Sequence, residues 1–559
     1  MPAGGLCILK RRTILSPFSP QKHTTQITTN CFVDFMDPKQ SSDPTSVLRD
    51  TIGEELFESA QKIYKSLFPA RIYRVPKDLR ELNKSAYIPR IISIGPLHCE
   101  EAHLQTPMQD VKKHYANNLF SRVTEGMNND DQKANKKKDL LLECVEKMKQ
   151  CVDRAKKYYA EELKPNNDDM VKMMLVDGCF ILELLYASYH TNKSKAAEEK
   201  TTNGRDSGNP KASSSVQKPI DGGEDGSKSS SVDELPWADA DDPVMDNILT
   251  ANMIKQDLIL LENQIPFFVL VELFKLIVNK IPEKNKLSSL TEYVLRYFGK
   301  ILGPNVETTS SKTKTCCCLP DEWVLRVYDS TKENEKGEKE SREAYGYNHI
   351  LHFLHEHYRP SKTQNPPEEK NGEVEVSASE LHYAGVKFVS VRGNTNLFDV
   401  NFREPKFLFW GFFSARFEIP TLDIDAPTEP LLRNLIALEQ CCPAIDQYYT
   451  SYAKFMDILI SSEEDVKVLK KAKVIRNHLG KDKDVCCLFN NLCKEVVIGE
   501  FYFENQCREA YNYSQHGWPK WRAYWKRTYV ESPWGIVAFS VAIIVFGVTV
   551  SNFIRRFLK

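Results

Sequence analysis

An apolar segment near the C-terminus, residues 533–554, constrains this chain more than any other feature, because its 22 residues contain no charged side chain. As an α-helix it would be roughly 33 Å long, against about 30 Å of membrane hydrocarbon. Its twelve Ile, Val and Phe residues contribute about −4 to −7 kcal/mol toward insertion. The segment predicts one transmembrane helix in contact with membrane lipid, followed by a short basic tail at residues 555–559. A fully buried core helix is the alternative.

Aromatic and basic residues alternate just before this segment. Trp518, Trp521 and Trp525 are spaced i, i+3 and i+7, which places them on one helical face. Lys520 and Arg522 are interleaved with them. This stripe favours a helix at the lipid headgroup boundary, and packing on the globular body is the alternative.

The N-terminus bears on which side of the membrane the body occupies. Its apolar run, residues 5–9, ends at three cations, Lys10, Arg11 and Arg12, and is too short for the core of a secretory signal. Without such a signal we expect the N-terminal body to stay in the cytosol. The chain is therefore predicted to be single-pass and tail-anchored, in the plasma membrane or an endomembrane.

The first part of the chain, residues 1–50, is interpreted as an extension that is either disordered or not part of the translated protein. Residues 1–33 contain basic and hydroxyl side chains but no acid, which resembles a transit peptide. The favoured reading is that translation begins at Met36, because the segment shows no convincing amphipathic helix.

The overall composition is that of a globular protein. Of the 559 residues, 41% are hydrophobic and 27% are charged, and the formal net charge is −1. Phosphate binding requires a clearly basic face, so no nucleic-acid partner is expected. The short basic run at residues 136–138 is interpreted as a solvated loop.

The fifteen cysteines include no C-x-x-C pair, although several are adjacent, such as Cys441 and Cys442. Structural zinc sites usually have pairs of ligands separated by about two to four residues, which the adjacent cysteines do not provide. Proteins built on a disulfide framework are usually much smaller chains. We therefore predict free, mostly buried thiols in a reducing compartment.

The length allows two to four domains, or one large domain with long insertions. Hydrophobic periodicity between residues 51 and 532 predicts an α+β fold, with a mainly α-helical body and a small β-sheet. Helical patterns cover residues 51–68, 139–160, 170–189, 244–278 with a break at Pro266, and 429–512. Residues 386–424 alternate as strands do. Stretches poor in bulky apolar side chains predict a disordered insertion at 191–243 and polar loops at 331–343 and 360–376.

Seven stretches of the chain are recognisable, both in their residues and in their order. The last, YVESPW at 529–534, leads into the apolar segment, and the other six precede it. They are RVPKDLR and AYIPRIISIGPLH within residues 74–98, DGCFILEL at 177–184, DLILLENQIPFFVLVELF at 257–274, SELHYAGVKF at 379–388, EIPTLDIDAPTEPLLRNLIALEQ at 418–440, and YTSYAKFMDILISSEEDVKVL at 449–469. Together they resemble the plant family called domain of unknown function 247, or uncharacterised protein family 0481. The resemblance runs from about residue 70 to the C-terminus.

This resemblance implies a plant protein with one large family domain and a C-terminal membrane helix. It implies no reaction, because the family has no established activity. Some grass members are associated with pollen self-incompatibility, which is recognition rather than catalysis, and that role is not carried over to this chain.

The chain departs from the family pattern at three places. Near residue 98 the family usually has an aromatic residue and a second histidine, whereas only His98 is present here. The positions of Gln109 and Tyr383 are commonly acidic in the family. If the residues around His98 formed a polar site, this chain would lack part of it.

Elementary physics explains several of the recognisable residues as scaffold. Pro266 is predicted to end one helix and open the next. The polar residues 262–264 are predicted to satisfy exposed backbone groups, while Phe267, Phe268 and Leu270 enter the core.

In the DGCFILEL stretch at 177–184, Gly178 is predicted to permit a close backbone approach, and Glu183 is predicted to pair with a buried cation. A binding site is the alternative interpretation for both sets of residues.

Four histidines lie close together: His349, His352, His355 and His357. Such a cluster suggests a metal site, but its helical spacing spreads the imidazoles around the axis. The neighbouring leucines 351 and 354 favour an ordinary amphipathic helix. We therefore predict no metal ligands here.

Other patterns typical of specific chemistry are weak. Asp423 and Asp425 resemble the start of a calcium loop, but Pro427 follows and the glycine that the turn needs is missing. Cys486 and Cys487 could be acylated, but they lie far from the apolar segment. The prediction is a protein that is not an enzyme, with no catalytic, cofactor-binding or metal-binding residues.

The leading functional hypothesis is a membrane-anchored recognition or signalling module whose cytosolic body binds another protein. The alternative is a membrane-associated enzyme with an unrecognised site, around His98 or the histidine cluster. That alternative requires a deep pocket with converging polar groups.

Overall fold

The computed structural model describes residues 48, 52, 71–202, 242, 244–282, 286–299, 346–360, 375–391, 396–404, 414–525 and 533–557. The chain divides into two units, Met1–Lys65 and Ser66–Lys559, and almost all of the described residues belong to the second. The predicted extension at 1–50, the predicted helix at 51–68 and the loop at 331–343 lie outside the described residues, apart from residues 48 and 52. So does most of the loop at 360–376.

The described part of the chain is mainly helical with a small amount of β-sheet. The helices of the first half are α1 (Lys77–Leu82), α2 (Met108–Arg122), α3 (Asp130–Lys156), α4 (Asn167–Thr202), α5 (Ile248–Asp257), α6 (Phe267–Leu276), α7 (Leu290–Phe298) and α8 (Ile350–His357). The second half contains α9 (Ala378–Tyr383), β1 (Lys387–Val391), β2 (Asn401–Arg403), β3 (Arg416–Pro420), β4 (Leu422–Ile424), α10 (Thr428–Cys441), α11 (Tyr448–Leu459), α12 (Glu463–Lys471), β5 (Ile475–Asn477), α13 (Asp482–Leu492), α14 (Glu504–Gln515), α15 (Gly517–Trp525) and α16 (Pro533–Phe557). The predicted fold class is confirmed.

Helix α4 is the centre of the first half. Residues 177–188 of α4 are all buried, and they are apolar apart from Asp177, Glu183 and Ser188. Helices α2, α3, α6 and α7 pack around it. Gly178 has no room for a side chain, because a Cβ atom there would collide with Leu273 of α6. Gly178 therefore permits a close approach, but the neighbour is a side chain of α6 and not the backbone that was predicted.

The second half contains two small sheets. In the first, β1 pairs parallel with β3 and β2 pairs antiparallel with β3, giving the order β1-β3-β2. In the second, β4 pairs parallel with β5. Helix α14 packs against β2, α12 against β5, and α10, α11 and α13 pack on one another. The strand-like alternation of residues 386–424 is confirmed, and β5 is a short strand inside the region predicted to be helical.

Two boundaries differ from the sequence expectations. Helix α4 continues to Thr202, so the insertion predicted to be disordered from residue 191 begins in helix. Its residues 196–200, AAEEK, are strong helix formers and extend α4 beyond its buried part. The rest of the insertion, up to residue 241, lies outside the described residues.

The basic run at 136–138 belongs to α3 and not to a loop, although it is largely exposed as predicted. Helix α3 begins early because the side chain of Asn129 accepts hydrogen bonds from the N–H groups of Asp131 and Gln132.

Pro266 stands at the N-terminal cap of α6, as predicted, but the preceding helix ends earlier, at Asp257. The turn between them is held by Gln264, whose Nε2 donates to the carbonyls of Leu258 at 2.7 Å and Leu260 at 2.9 Å. These bonds take up carbonyl groups that a continued helix would have satisfied.

The C-terminal helix α16 is the one helix of the described residues that is long and apolar enough to cross a membrane, over Val537–Arg556. None of this stretch is buried against the rest of the chain. Its apolar side chains are exposed, with Phe546 at 71% and Ile544 at 64%.

Candidate functional site

The segment 87–98 is largely buried but has almost no regular secondary structure. The carboxylate of Asp257 accepts hydrogen bonds from the N–H groups of residues 90, 91 and 92, at 2.9, 2.9 and 3.0 Å. Oδ1 of Asn263 accepts from the N–H of Ile94 at 2.6 Å, and its Nδ2 donates to the carbonyl of Ile92 at 3.0 Å. Each unsatisfied buried amide would cost about 1–3 kcal/mol, so these side chains allow the segment to be buried.

Asp177 of α4 extends this network. Its Oδ2 accepts from the N–H of Gly95 at 2.9 Å, and its Oδ1 lies 2.6 Å from Nζ of Lys112. Lys112 is also buried and donates to the carbonyl of Ser93 at 2.9 Å. Gly95 has a φ of +74°, and a Cβ atom there would lie 2.5 Å from the carbonyl oxygen of Gln264, so glycine alone fits.

Glu262 is the fourth acceptor of the network, and its side chain is fully buried. Its Oε1 accepts from the N–H of Val75 at 2.7 Å and contacts Arg80, while Oε2 lies 3.4 Å from Nη1 of Arg74. Burial alone would raise the pKa of Glu262, but the His98 side chain and the Arg80 charge together hold it below its usual value. The expectation that residues 262–264 satisfy backbone groups is confirmed.

We name this set the carboxylate–amide hub, and its members are Asp177, Asp257, Glu262 and Asn263. Sequence reasoning did not identify Asp257 as a member, or Lys112 as the partner of Asp177. The feature of the sequence that could have identified Asp257 is its position at the start of the otherwise apolar run DLILL. A buried charge there is stable only if other groups pair with it.

His98 lies next to Glu262 of this hub and does not face solvent. Its side chain is fully buried, its Nδ1 contacts the carboxylate of Glu101, and its Nε2 lies 3.1 Å from Oε2 of Glu262. The imidazole thus bridges two carboxylates inside the protein, in a position where a substrate has no direct access.

The other two departures from the family pattern also have partners. Nε2 of Gln109 donates to the hydroxyl of Ser93 at 3.3 Å. The hydroxyl of Tyr383 donates to Oε1 of Glu464 at 2.5 Å. Each departure is therefore accommodated by local hydrogen bonding.

The predicted cation partner of Glu183 is Arg122. Nε of Arg122 lies 3.0 and 2.9 Å from the two carboxylate oxygens, and its Nη2 lies 2.5 Å from Oε1. Both side chains are buried, and the pair joins α2 to α4. Such bidentate geometry with a full set of partners suits a structural pair.

A second buried network surrounds His355 of α8. Its Nε2 lies 2.8 Å from Oε1 of Glu439, and its Nδ1 lies 3.4 Å from Oε1 of Glu356. Burial lowers the pKa of His355, but the neighbouring carboxylates of Glu356 and Glu439 outweigh burial and raise it to about 9. The imidazole is therefore charged inside the protein at neutral pH.

Glu439 also receives the first N–H groups of α11. Its carboxylate accepts from the N–H of Tyr449 at 2.8 Å, the N–H of Thr450 at 2.7 Å and the Thr450 hydroxyl at 2.6 Å. A carboxylate at a helix N-terminus is favoured by the exposed N–H groups and by the helix dipole. The His355–Glu439 pair thus joins α8, α10 and α11.

The remaining histidines of the cluster do not converge with His355 on a common point. His349 caps α8: its Nδ1 accepts from the N–H of His352 at 3.2 Å, and its Nε2 donates to the carbonyl of Arg71 at 3.1 Å. Burial lowers the pKa of His352 to about 4. The predicted amphipathic helix is observed as α8, and the described residues contain no group of three side chains arranged to hold a metal ion.

Asp423 and Asp425 have protein partners. Asp423 lies 3.4 Å from Nη1 of Arg476, and Oδ1 of Asp425 accepts from the Thr428 hydroxyl at 2.6 Å. The ten cysteines in the described residues are all free thiols, as predicted. Cys487 is exposed, whereas the adjacent pair 441–442 is mostly covered.

His98, His355 and the carboxylates around them are thus engaged in contacts that hold the fold. A hollow between α4, α6 and α7 is lined by aliphatic and aromatic side chains. Its lining residues are Leu182, Leu185, Tyr186, Phe274, Val278, Leu290 and Tyr293. None of these is an acid, a base or a thiol.

Residues 72–548 match the model of a family described as a plant protein of unknown function, DUF247. The chain belongs to the DUF247 family. No solved structure matches it.

Two relatives from Arabidopsis thaliana are similar to the chain. One, a UPF0481 protein, is 27% identical over 480 residues, which covers 85% of this chain and 83% of the relative. The other, a putative UPF0481 protein, is 30% identical over 193 residues, covering 32% of this chain and 34% of the relative. Neither description states an activity, and the resemblance inferred from the sequence is confirmed.

The His355 network predicts a pH dependence of stability. Because its folded pKa of about 9 exceeds the ordinary value of about 6.5, the stabilisation is complete below pH 6.5 and is lost as pH rises toward 9. The full loss is about 3 kcal/mol. We expect the unfolding temperature of the full chain to fall over this range, and to fall much less in His355→Gln.

His103→Gln is the matched control, because that side chain is 48% exposed. It should keep the wild-type dependence on pH. Equal slopes in wild type and His355→Gln would contradict the buried charged imidazole.

Proposed function

We propose that this DUF247 protein is a membrane-anchored interaction module, with α16 in the lipid and a cytosolic body that binds another protein. The observation that carries the proposal is the exposed apolar surface of α16. The three parts of the proposal, the anchor, its sidedness and the binding role, have separate support.

The anchor is supported by the apolar surface that α16 would expose to water if it were not in a membrane. Eleven large apolar side chains of this helix are between 37% and 71% exposed, beginning with Val537 and ending with Ile554. A contiguous apolar surface of this size marks a lipid or protein contact. The reading as a buried core helix is disfavoured, because none of the spanning stretch is buried in the described structure.

The cytosolic side is supported by the thiols. The ten described cysteines are unpaired, which is typical of a reducing compartment. Burial raises the pKa of several of them, including Cys144, Cys442 and Cys507, each to about 12. These buried thiols are protonated and inert, as expected of structural cysteines.

A binding role is supported over catalysis by the position of the polar groups. The enzyme hypothesis places a site at His98 or in the histidine cluster 349–357. His98 is 0% exposed, and within the cluster His349 and His355 are 0% and 1% exposed. The imidazoles of His98 and His355 are engaged by carboxylates of the fold. A protein that binds a partner through its surface can keep these buried networks as a scaffold. An enzyme would need a substrate to reach one of the two networks.

The anchor is tested by placing charge in α16 of the full chain. Arg at the centre of a spanning helix costs about 2.5–3.5 kcal/mol, so Ile543→Arg/Phe546→Arg should offset the whole gain from the apolar side chains. We expect wild type to resist alkaline carbonate extraction from plant membranes and the double variant to be released. Ile543→Leu/Phe546→Leu is the control and should stay in the membrane.

Release of the wild-type chain by carbonate would contradict anchoring.

The same membrane preparations show on which side of the membrane the body lies, because Asn512-Tyr513-Ser514 is an acceptor sequence for glycosylation and Asn512 is exposed. A glycan at Asn512 would place the body in the lumen, against the proposal.

The binding role is tested by proximity labelling in plant cells. Full-length protein is compared with α16 fused to an unrelated fluorescent body, which controls for shared membrane location. We expect neighbours that are labelled reproducibly by the full chain and not by the fusion. Their absence, with the chain correctly anchored, would contradict an interaction module.

A further inference from the structure

The described residues of helix α15 include an exposed face that carries Trp and Tyr side chains. Its described exposed residues, Gly517, Lys520, Trp521 and Tyr524, are spaced i, i+3, i+4 and i+7, which is a single helical face. Trp521 is 50% exposed and Tyr524 is 63% exposed. Pro519, in contrast, is buried, and α15 packs against α9 and α14. The body therefore holds α15 with an aromatic face turned outward.

We propose that this face lies on the headgroup region of an anionic membrane leaflet, so that the body is held against the membrane in a fixed orientation. The inference rests on the proposed anchoring by α16. It adds a second membrane contact, made by residues 517–525 and separate from the spanning helix.

Chain continuity supports lipid as the occupant of this face. Helix α15 ends at Trp525 and α16 begins at Pro533, so residues 526–532 connect them. Even fully extended, this connection reaches at most about 28 Å. With α16 in the bilayer, α15 cannot lie far from the headgroups.

Charge supports the same occupant. Residues 520–527 contain four cations, Lys520, Arg522, Lys526 and Arg527, and no acid. Anionic lipids attract basic residues next to a spanning helix, and Trp and Tyr are enriched at the membrane interface, where their apolar rings and polar groups are both accommodated. The acid on the packed neighbour α9, Glu380, is engaged in the capping box of that helix with Ser377.

The test separates this contact from the anchor by using the full chain with the anchor disabled, Ile543→Arg/Phe546→Arg. The probes are vesicles of phosphatidylcholine with and without phosphatidylserine. We expect this chain to bind the anionic vesicles, and binding to weaken as salt is added. Adding Lys520→Gln/Arg522→Gln should weaken binding about 30-fold, because each cation near the surface contributes about a factor of five.

Two further variants sharpen the test. Trp521→Ala/Tyr524→Ala should also weaken binding at unchanged charge, because the two aromatic side chains would no longer contact the membrane interface. Lys481→Gln/Lys483→Gln removes two exposed lysines at the same spacing elsewhere on the body, and should leave binding unchanged.

The inference is overturned if the anchor-disabled chain does not bind anionic vesicles, or if the α15 variants bind as tightly as their parent. It is also overturned if the α15 variants keep vesicle binding but lose a labelled protein neighbour, since the face would then bind protein. Failure of anchoring is seen separately, as carbonate release of the wild-type chain.

Discussion

The fold depends on buried side chains that take the place of secondary structure for the segment 87–98. Asp257, Asn263 and Asp177 accept hydrogen bonds from the backbone of residues 90–95, which neither a helix nor a sheet supplies with partners. The segment can then lie between α4 and the α5–α6 turn without losing backbone hydrogen bonds. Burying those N–H groups without acceptors would cost more than the packing returns.

The hub also connects the two halves of the body. The Oδ1 atom of Asn434, in α10, accepts from the N–H of Leu261 at 2.8 Å, and its Nδ2 donates to the carbonyl of Ala86 at 2.7 Å. One amide thus holds both sides of the hub against the second half. The His355–Glu439 pair makes a comparable junction from the same helix, α10, to α8 and α11.

Much of this architecture was accessible from the sequence. Helices with long apolar periodicity, the strands between 386 and 424, and the Pro266 break were predicted because local patterns decide them. The Glu183 partnership was predicted in kind, since a buried acid needs a cation, but not in identity. Arg122 is 61 residues away, and no local pattern connects the two.

The hub illustrates what sequence reasoning misses. Asp257 is the last residue of α5 and its three partners lie about 166 residues earlier, so its role emerges only when the chain is folded. The same holds for the exposed face of α15. The spacing of the tryptophans predicted an aromatic stripe, but the structure places Lys520 and Tyr524 beside Trp521 on the exposed face. Which side of α15 is buried depends on its packing against α9 and α14, which the local sequence does not determine.

The recognisable stretches of the chain therefore serve chiefly to hold the body together. RIISIGPLH, DGCFILEL and DLILLENQIPFF meet in the hub, and LIALEQ supplies Glu439 to the second network. A body so fixed can present its surface in a constant orientation to a partner and to a membrane. The proposed function thus depends on the rigidity that these buried groups provide.

The most direct test of this account is amide hydrogen exchange in the full chain. The N–H groups of residues 90–92 should exchange only on global unfolding, although they lie outside helices and sheets. Asp257→Ala should make this segment exchange rapidly while α4 stays protected, and Asp153→Ala, at an exposed acid of α3, should change nothing. Rapid exchange of the segment in the wild-type chain, or continued protection in Asp257→Ala, would contradict the central role of the hub.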